Sequence, residues 1–103
     1  MNYFLTEEQQ AIVETAREIA QKKIKPVREH YDVTEKYPWD IVEELRKADL
    51  LGVYFHPNYG GLGGRGFELC LVVEDLSKAC GGIALAVACC ALCAFPIIHF
   101  GTP

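Results

Sequence analysis

A glycine-rich segment in the middle of the chain has the spacing of a phosphate-binding loop. Residues 61–66, Gly-Leu-Gly-Gly-Arg-Gly, match the pattern Gly-x-Gly-x-x-Gly, and a predicted helix follows them. In dinucleotide-binding proteins this arrangement presents backbone N–H groups to a pyrophosphate. Such a site also needs a preceding strand, an acidic residue for the ribose and a second strand, and only Val53 to Phe55 could form a strand here. We therefore interpret the segment as a loop whose glycines supply positive φ angles.

The cysteines are candidates for metal binding or redox chemistry. The chain has five of them, and Cys89, Cys90 and Cys93 are clustered, with Cys-x-x-Cys spacing between the last two. A zinc site needs four ligands, and Cys70, Cys80 and His99 supply no second pair with a matching spacing. We expect no metal site, and we interpret the cysteines as small hydrophobic side chains used in packing.

The remaining candidates give little support for catalysis by this chain. Ser77 is the only serine, and no serine, histidine and acid form a recognisable set, so nucleophilic hydrolysis is disfavoured. His56 and His99 are interpreted as structural. The acidic pairs at 7–8 and 43–44 are expected on solvated helix faces, where charges serve solubility.

Composition excludes several classes of protein. With 103 residues, half of them hydrophobic, the chain is predicted to be one small globular domain or a piece of one. A net charge of −4 gives no electrostatic reason to bind nucleic acid. The odd number of cysteines and the lack of a basic and then apolar leader in residues 1–10 predict a reduced, cytoplasmic protein.

The elements that must position these residues are predicted to be helices, which makes the fold all-α. Thr6 and Gln9 form a capping box that starts the first helix, and Pro26 ends or kinks it near Lys25, with a possible continuation over Val27 to Tyr31. The second helix is predicted over Pro38 to Leu51, with Gly52 as its C-cap.

Two more helices follow the glycine-rich loop. The third is predicted over Phe67 to Ala79, with Phe67 on its apolar side, and the glycine pair at 81–82 breaks the chain after it. The fourth, Ile83 to Phe95, is apolar on every face, which predicts a buried position at the centre of the bundle. Pro96 is expected to start a last short piece.

The apolar C-terminal region also has the length of a membrane span. Residues 79–98 carry no charge. The glycine pair, the many alanines, Pro96 and the lack of flanking basic residues or an aromatic belt argue against spanning. We therefore expect no membrane span.

A series of short motifs, in order and at characteristic spacing, resembles the N-terminal helical domain of acyl-CoA dehydrogenases. The resemblance covers essentially all 103 residues. The motifs are Leu5-Thr6-Glu7-Glu8-Gln9-Gln10, Tyr37-Pro38-Trp39, Leu50-Leu51-Gly52, Asn58-Tyr59-Gly60-Gly61-Leu62-Gly63, Glu74-Asp75-Leu76 and Phe95-Pro96-Ile97-Ile98-His99-Phe100-Gly101-Thr102.

The resemblance implies a flavoenzyme much longer than this chain. Members of the family add a middle β-domain and a C-terminal helical domain, are usually tetramers, and dehydrogenate acyl-CoA at the α and β carbons. A carboxylate base removes the α proton, the β hydride passes to FAD, and electrons then pass to an electron-transfer flavoprotein. The family's catalytic glutamate and most FAD contacts lie in the other two domains, so no catalytic residue is assigned here and a chain of residues 1–103 alone is expected to be inactive.

The resemblance implies one functional surface within these residues. The helix matching Ile83 to Phe95 helps to wall the acyl-chain pocket, and alignment on Phe95-Pro96-Ile97-Ile98 assigns substrate-binding positions to Ala84, Leu85 and Ala88.

The sequence also leaves open a free-standing helical binding or assembly module. Gly101, Thr102 and Pro103 provide a break, an N-cap and an N1 proline, which is expected where a fold continues.

Overall fold

The computed structural model describes residues 5–102, so the structure of residues 1–4 and of Pro103, the predicted first residue of a further helix, lies outside it. Within this range the fold is all-α, as predicted, and contains no strand. The α-helices are α1 (Glu7–Ile19), α2 (Arg28–Thr34), α3 (Trp39–Lys47), α4 (Gly66–Ala79) and α5 (Gly81–Phe100), and there are also a π-helical segment (Ala20–Ile24) and two 3₁₀ turns (Leu50–Gly52 and Pro57–Tyr59).

The first helix begins and ends as the sequence predicts. The Thr6 hydroxyl accepts a hydrogen bond from the backbone N–H of Gln9 at 3.2 Å, and the Gln9 side chain accepts one from the backbone N–H of Thr6 at 3.0 Å. This reciprocal capping box satisfies donors that a helix start otherwise leaves unpaired. After Ile19 the helix widens into the π-helical segment, and it ends before Pro26, which has no N–H to continue it. The predicted continuation is α2, over Arg28–Thr34.

The second predicted helix is shorter than expected. It ends at Lys47 rather than Leu51, because Asp49 adopts a left-handed conformation with φ 63°. The following 3₁₀ turn then places Leu50 in the core, where it is almost fully buried. Gly52 therefore lies in this turn and is not the C-cap of α3.

The prediction that Pro96 ends the fourth helix is wrong. α5 runs from Gly81 to Phe100 with Pro96 inside it, and the break from α4 is the extended residue Cys80 rather than the glycine pair. A proline leaves the carbonyl four residues earlier, that of Leu92, without its helical donor. Both Leu92 and Pro96 lie on the solvent side of α5, where water can hydrate that carbonyl.

The central element is α4, not the most apolar helix. α4 packs against α1, against the π-helical extension of α1 and against α5. Val72 and Leu76 of α4 are completely buried. α5, which was predicted to be central, buries one stripe of residues and exposes the remainder; the buried residues are Ile83, Ala84, Val87, Ala91 and Ala94.

A buried carboxylate links α4 to its neighbours. Asp75 is only 5% exposed, yet it lies 3.4 Å from Nε of Arg17 on α1 and 3.4 Å from Nζ of Lys78 on its own helix. A second arginine, Arg28, donates a hydrogen bond of 2.8 Å from Nη1 to the carbonyl of Ala79 at the end of α4.

Phe67, predicted to face the core, is instead 56% exposed at the beginning of α4.

Candidate functional site

The three predicted substrate-binding residues lie on α5, but they do not share one environment. Leu85 is 54% exposed and Ala88 is half-buried, and residues three apart on a helix lie on the same face. Ala84 is 1% exposed and packs in the domain's own core with Ile83 and Val87. The described residues therefore bring Leu85 and Ala88 together and separate Ala84 from them. Their role in substrate binding stays a prediction.

A groove at the C-terminal end of α5 was not predicted. It has a volume of about 950 Å³ and lies between α5 and the chain around the second 3₁₀ turn. Tyr54 and His99 line it, and both rings contact Phe95, whose ring centroid is 6.2 Å from that of Tyr54 and 4.3 Å from that of His99. The four-residue spacing of Phe95 and His99 could have predicted that the two rings lie on one helix face. This holds only if the helix continues through Pro96, which was not predicted from the sequence.

The glycine-rich loop uses its backbone N–H groups within the domain. The N–H groups of Leu62, Gly63 and Gly64 donate to the carbonyls of Gly52, Phe55 and Val53, at 3.0, 2.8 and 2.7 Å. The loop therefore runs against the segment from Gly52 to Phe55. Its glycines are needed because a Cβ on Gly61 would collide with the Phe55 carbonyl, and because Gly63 has φ 75°.

Comparison with known proteins decides the family. The sequence model described as "Acyl-CoA dehydrogenase, N-terminal domain" matches residues 6–103. The chain belongs to the acyl-CoA dehydrogenase family. A curated relative, the probable acyl-CoA dehydrogenase YngJ of Bacillus subtilis (strain 168), is 39% identical over 103 residues, which is 99% of this chain.

Two solved structures share this fold of the acyl-CoA dehydrogenase N-terminal domain. The butyryl-CoA dehydrogenase of Megasphaera elsdenii superposes with a TM-score of 0.85 and 34% identity, covering 99% of this chain and 28% of that one. A chain in a structure of the electron transferring flavoprotein of Acidaminococcus fermentans superposes with a TM-score of 0.88 and 35% identity. The match covers 99% of this chain and 27% of that one. The chain likewise spans 27% of the length of the Bacillus relative.

The acyl-CoA dehydrogenase family implies FAD, but the glycine-rich loop does not fit its pyrophosphate. The loop N–H groups that would face a phosphate are already paired with backbone carbonyls. At the start of α4, a carboxylate oxygen of Glu68 accepts a hydrogen bond of 2.9 Å from the Arg65 N–H, and this bond lowers the pKa of Glu68 below its ordinary value. The carboxylate of Glu68 thus occupies the N-terminus of α4, where a phosphate would have to bind. The interpretation of the segment as a connecting loop is confirmed.

The cysteines are less buried than their predicted packing role requires. Cys89 and Cys93 are exposed, and Cys90 is half-buried with its Sγ 3.4 Å from the Ala86 carbonyl. Burial raises the pKa of the Cys90 thiol, and the neighbouring Cys89 and Cys93 raise it further. Within residues 5–102, no three metal-ligating side chains are grouped in a way that could hold a metal ion.

The other candidates have local structural roles. His56 Nδ1 accepts a hydrogen bond of 3.1 Å from the Asn58 N–H and so caps the second 3₁₀ turn, which is a structural role. Glu43 lies at the surface and pairs with Arg46, whose hydrogen bond lowers the pKa of the carboxyl. His56 also lines the groove at the end of α5, whereas Glu43 does not, and neither residue is assigned a chemical role.

Two glycine substitutions test the structural role of the loop. Gly61→Ala should lower the free energy of unfolding by about 2 kcal/mol or more, because its Cβ would meet the Phe55 carbonyl. Gly66→Ala is the control: it lies in the first turn of α4 with open space around the new Cβ, so it should be neutral or stabilise by up to about 1 kcal/mol. Urea unfolding followed by far-UV circular dichroism measures both. Equal effects of the two substitutions would contradict the close packing of the loop on Phe55.

Proposed function

We propose that this chain is the N-terminal domain of an FAD-dependent acyl-CoA dehydrogenase, an enzyme that oxidises an acyl-CoA thioester between its α and β carbons. The observation that carries the proposal is the family match over residues 6–103, supported by the TM-score of 0.85 to a butyryl-CoA dehydrogenase. Because the chain spans 27% of its Bacillus relative, the reaction is proposed for the complete enzyme. Residues 1–103 alone should not turn over substrate.

The domain's contribution in this proposal is one wall of the acyl-chain pocket. Leu85 and Ala88 form that wall, since they lie on one exposed side of α5. The alanine makes the wall recessed at its position, which leaves room for a longer or branched acyl chain. Ala84 supports the wall from behind, because its methyl group is buried in the core against the other helices.

The other partners in the proposal belong to the complete enzyme. FAD and the catalytic carboxylate would be held outside this domain, in agreement with the poor fit of the glycine-rich loop to a pyrophosphate. Electrons would pass to an electron-transfer flavoprotein, which the structural similarity to a chain from such a flavoprotein structure supports. The complete enzyme would be a cytoplasmic homo-tetramer of fatty acid metabolism that binds no nucleic acid and has no membrane span.

A second candidate function is a free-standing helical binding or assembly module without catalysis. One observation favours it: large apolar side chains, including Leu92 and Ile97, are 65% and 68% exposed on α5. Surfaces of this kind mark places where a protein meets something else. The two candidates differ in whether flavin accompanies the natural gene product.

Protein purified from its native gene distinguishes them. The dehydrogenase proposal predicts an intact mass well above 11.5 kDa and the visible absorption of a bound flavin. Mass spectrometry and an absorption spectrum measure both properties on one sample. A colourless product of 11.5 kDa would refute the dehydrogenase proposal and favour the binding module.

The acyl-pocket wall has its own test in the complete enzyme. Ala88→Phe should fill the recess and lower kcat/KM for long or bulky acyl-CoA substrates by about 10-fold or more, relative to butyryl-CoA, because pocket contacts of this size discriminate by 1–3 kcal/mol. Ala86→Phe is the control, since Ala86 is equally half-buried but lies two residues away, on a different side of the helix. An unchanged chain-length preference in Ala88→Phe, or the same change in Ala86→Phe, would overturn the assignment.

A further inference from the structure

A series of side-chain hydrogen bonds joins the start of α1 to the start of α4. Gln9 uses both atoms of its amide: Oε1 accepts the bond of 3.0 Å from the Thr6 N–H, and Nε2 donates one of 3.3 Å to a carboxylate oxygen of Glu68. The other oxygen of Glu68 accepts the bond of 2.9 Å from the Arg65 N–H. Two side chains that lie 59 residues apart in sequence thus connect the two helix starts.

The two ends of this series fix which atoms donate and which accept. Both ends are backbone N–H groups, which can only donate. Gln9 must therefore turn its oxygen towards Thr6, and its NH₂ group is left to face Glu68. An ionised carboxylate accepts both of the bonds that reach it, whereas a protonated carboxyl turns one of its oxygens into a donor. The series is complete only while Glu68 carries its negative charge.

Glu68 also packs against the glycine-rich loop. A Cβ on Gly64 would lie 3.1 Å from the Glu68 Cβ, so the loop backbone runs close along this side chain. Gly64 and Arg65 line the groove at the C-terminal end of α5. The loop side of the groove and the start of α1 therefore depend on the same glutamate.

We propose that Glu68 is a carboxylate latch, which ties the start of α1 to the start of α4 and holds the loop side of the groove in place. Loss of its negative charge loosens both helix starts together, because each start loses a hydrogen-bond acceptor or the support of one. The latch is formed by Thr6, Gln9, Glu68 and Arg65, all within one domain, so this proposal does not depend on the proposed function.

Protonation of Glu68 opens the latch. The hydrogen bond from the Arg65 N–H lowers the pKa of this carboxyl most, and the Gln9 bond and the Arg65 charge lower it further, against the effect of burial. Within residues 5–102, Arg65 supplies the charge that acts on the carboxyl, and the side chain that faces it from α1 is the neutral Gln9. Because the pKa is lowered in the folded state, the latch stabilises the domain above the ordinary glutamate pKa. This contribution is lost as the pH falls through the lowered pKa.

An exchange of the two side chains tests the latch. Glu68→Gln offers one acceptor to the two donors that reach it, and Gln9→Glu places a second carboxylate against Glu68, so each single substitution breaks the central bond. The double variant restores this bond with reversed polarity. The amide then lies at position 68 and donates to the carboxylate at position 9, and each position keeps an oxygen for its backbone N–H.

Hydrogen exchange of the Thr6 amide reports on the latch at a distance, since this N–H is bonded to Gln9 and not to position 68. We measure it by NMR on the folded 103-residue chain, at a pH where Glu68 is ionised. Glu68→Gln should speed this exchange by about 3-fold or more, as expected for the loss of one hydrogen bond of ordinary net strength. The double variant should return to the wild-type rate. Glu74→Gln is the matched control on the exposed side of α4, where Glu74 lies 4.0 Å from Nζ of Lys78, and it should leave the rate unchanged.

Urea unfolding at a series of pH values gives a second readout. The wild type should be more stable than Glu68→Gln at neutral pH, and the difference should shrink as the pH falls through the lowered pKa of Glu68. An unchanged Thr6 exchange rate in Glu68→Gln, a double variant that exchanges as fast as the single ones, or a stability difference that does not change with pH would each overturn the proposal. Neither readout involves activity, so failure of the latch and failure of the proposed function are distinguishable.

Discussion

Packing of α4 against both α1 and α5 is the constraint on which the rest of the domain depends. Leu76 and Val72 have no exposed surface, and burying a side chain of this kind contributes about 1.5–3 kcal/mol. Asp75 fixes how α1 packs on α4. A buried carboxylate is costly in free energy unless it is paired, and Arg17 pairs with it only when α1 lies in its observed position. The hydrogen bond from Arg28 to the Ala79 carbonyl holds α2 to the same helix.

This arrangement explains why the most hydrophobic helix is left half-uncovered. Within residues 5–102, α5 packs against α4 and the first 3₁₀ turn, and its opposite side is left exposed. Ala84 packs inward, and its neighbour Leu85, about 100° further around the helix, faces out. The exposed side that includes Leu85 is the surface for which we propose a role in the acyl-pocket wall of the complete enzyme.

Sequence patterns predicted those features that depend on a few neighbouring residues. The capping box at Thr6, the helix end before Pro26 and the span of α4 all follow from local hydrogen bonding or 3.6-residue periodicity, and the motif series indicated the family. Features decided by tertiary contacts were missed. Pro96 is tolerated inside α5 because it faces solvent. Gly52 does not cap α3, because Asp49 ends that helix earlier. The hydropathy of α5 could not show that other elements pack on only one side of this helix. The groove lined by Tyr54 and His99 also depends on such contacts.

Hydrogen exchange of the backbone amides, measured on the folded 103-residue chain, tests the central position of α4 most directly. Amides that open only when the whole domain unfolds exchange slowest. The account predicts that the slowest group lies in α4 around Val72 to Leu76, with α1 next and the C-terminal turns of α5 faster. If the slowest amides lay instead in the middle of α5, with α4 exchanging early, α4 could not be the element on which the other helices pack.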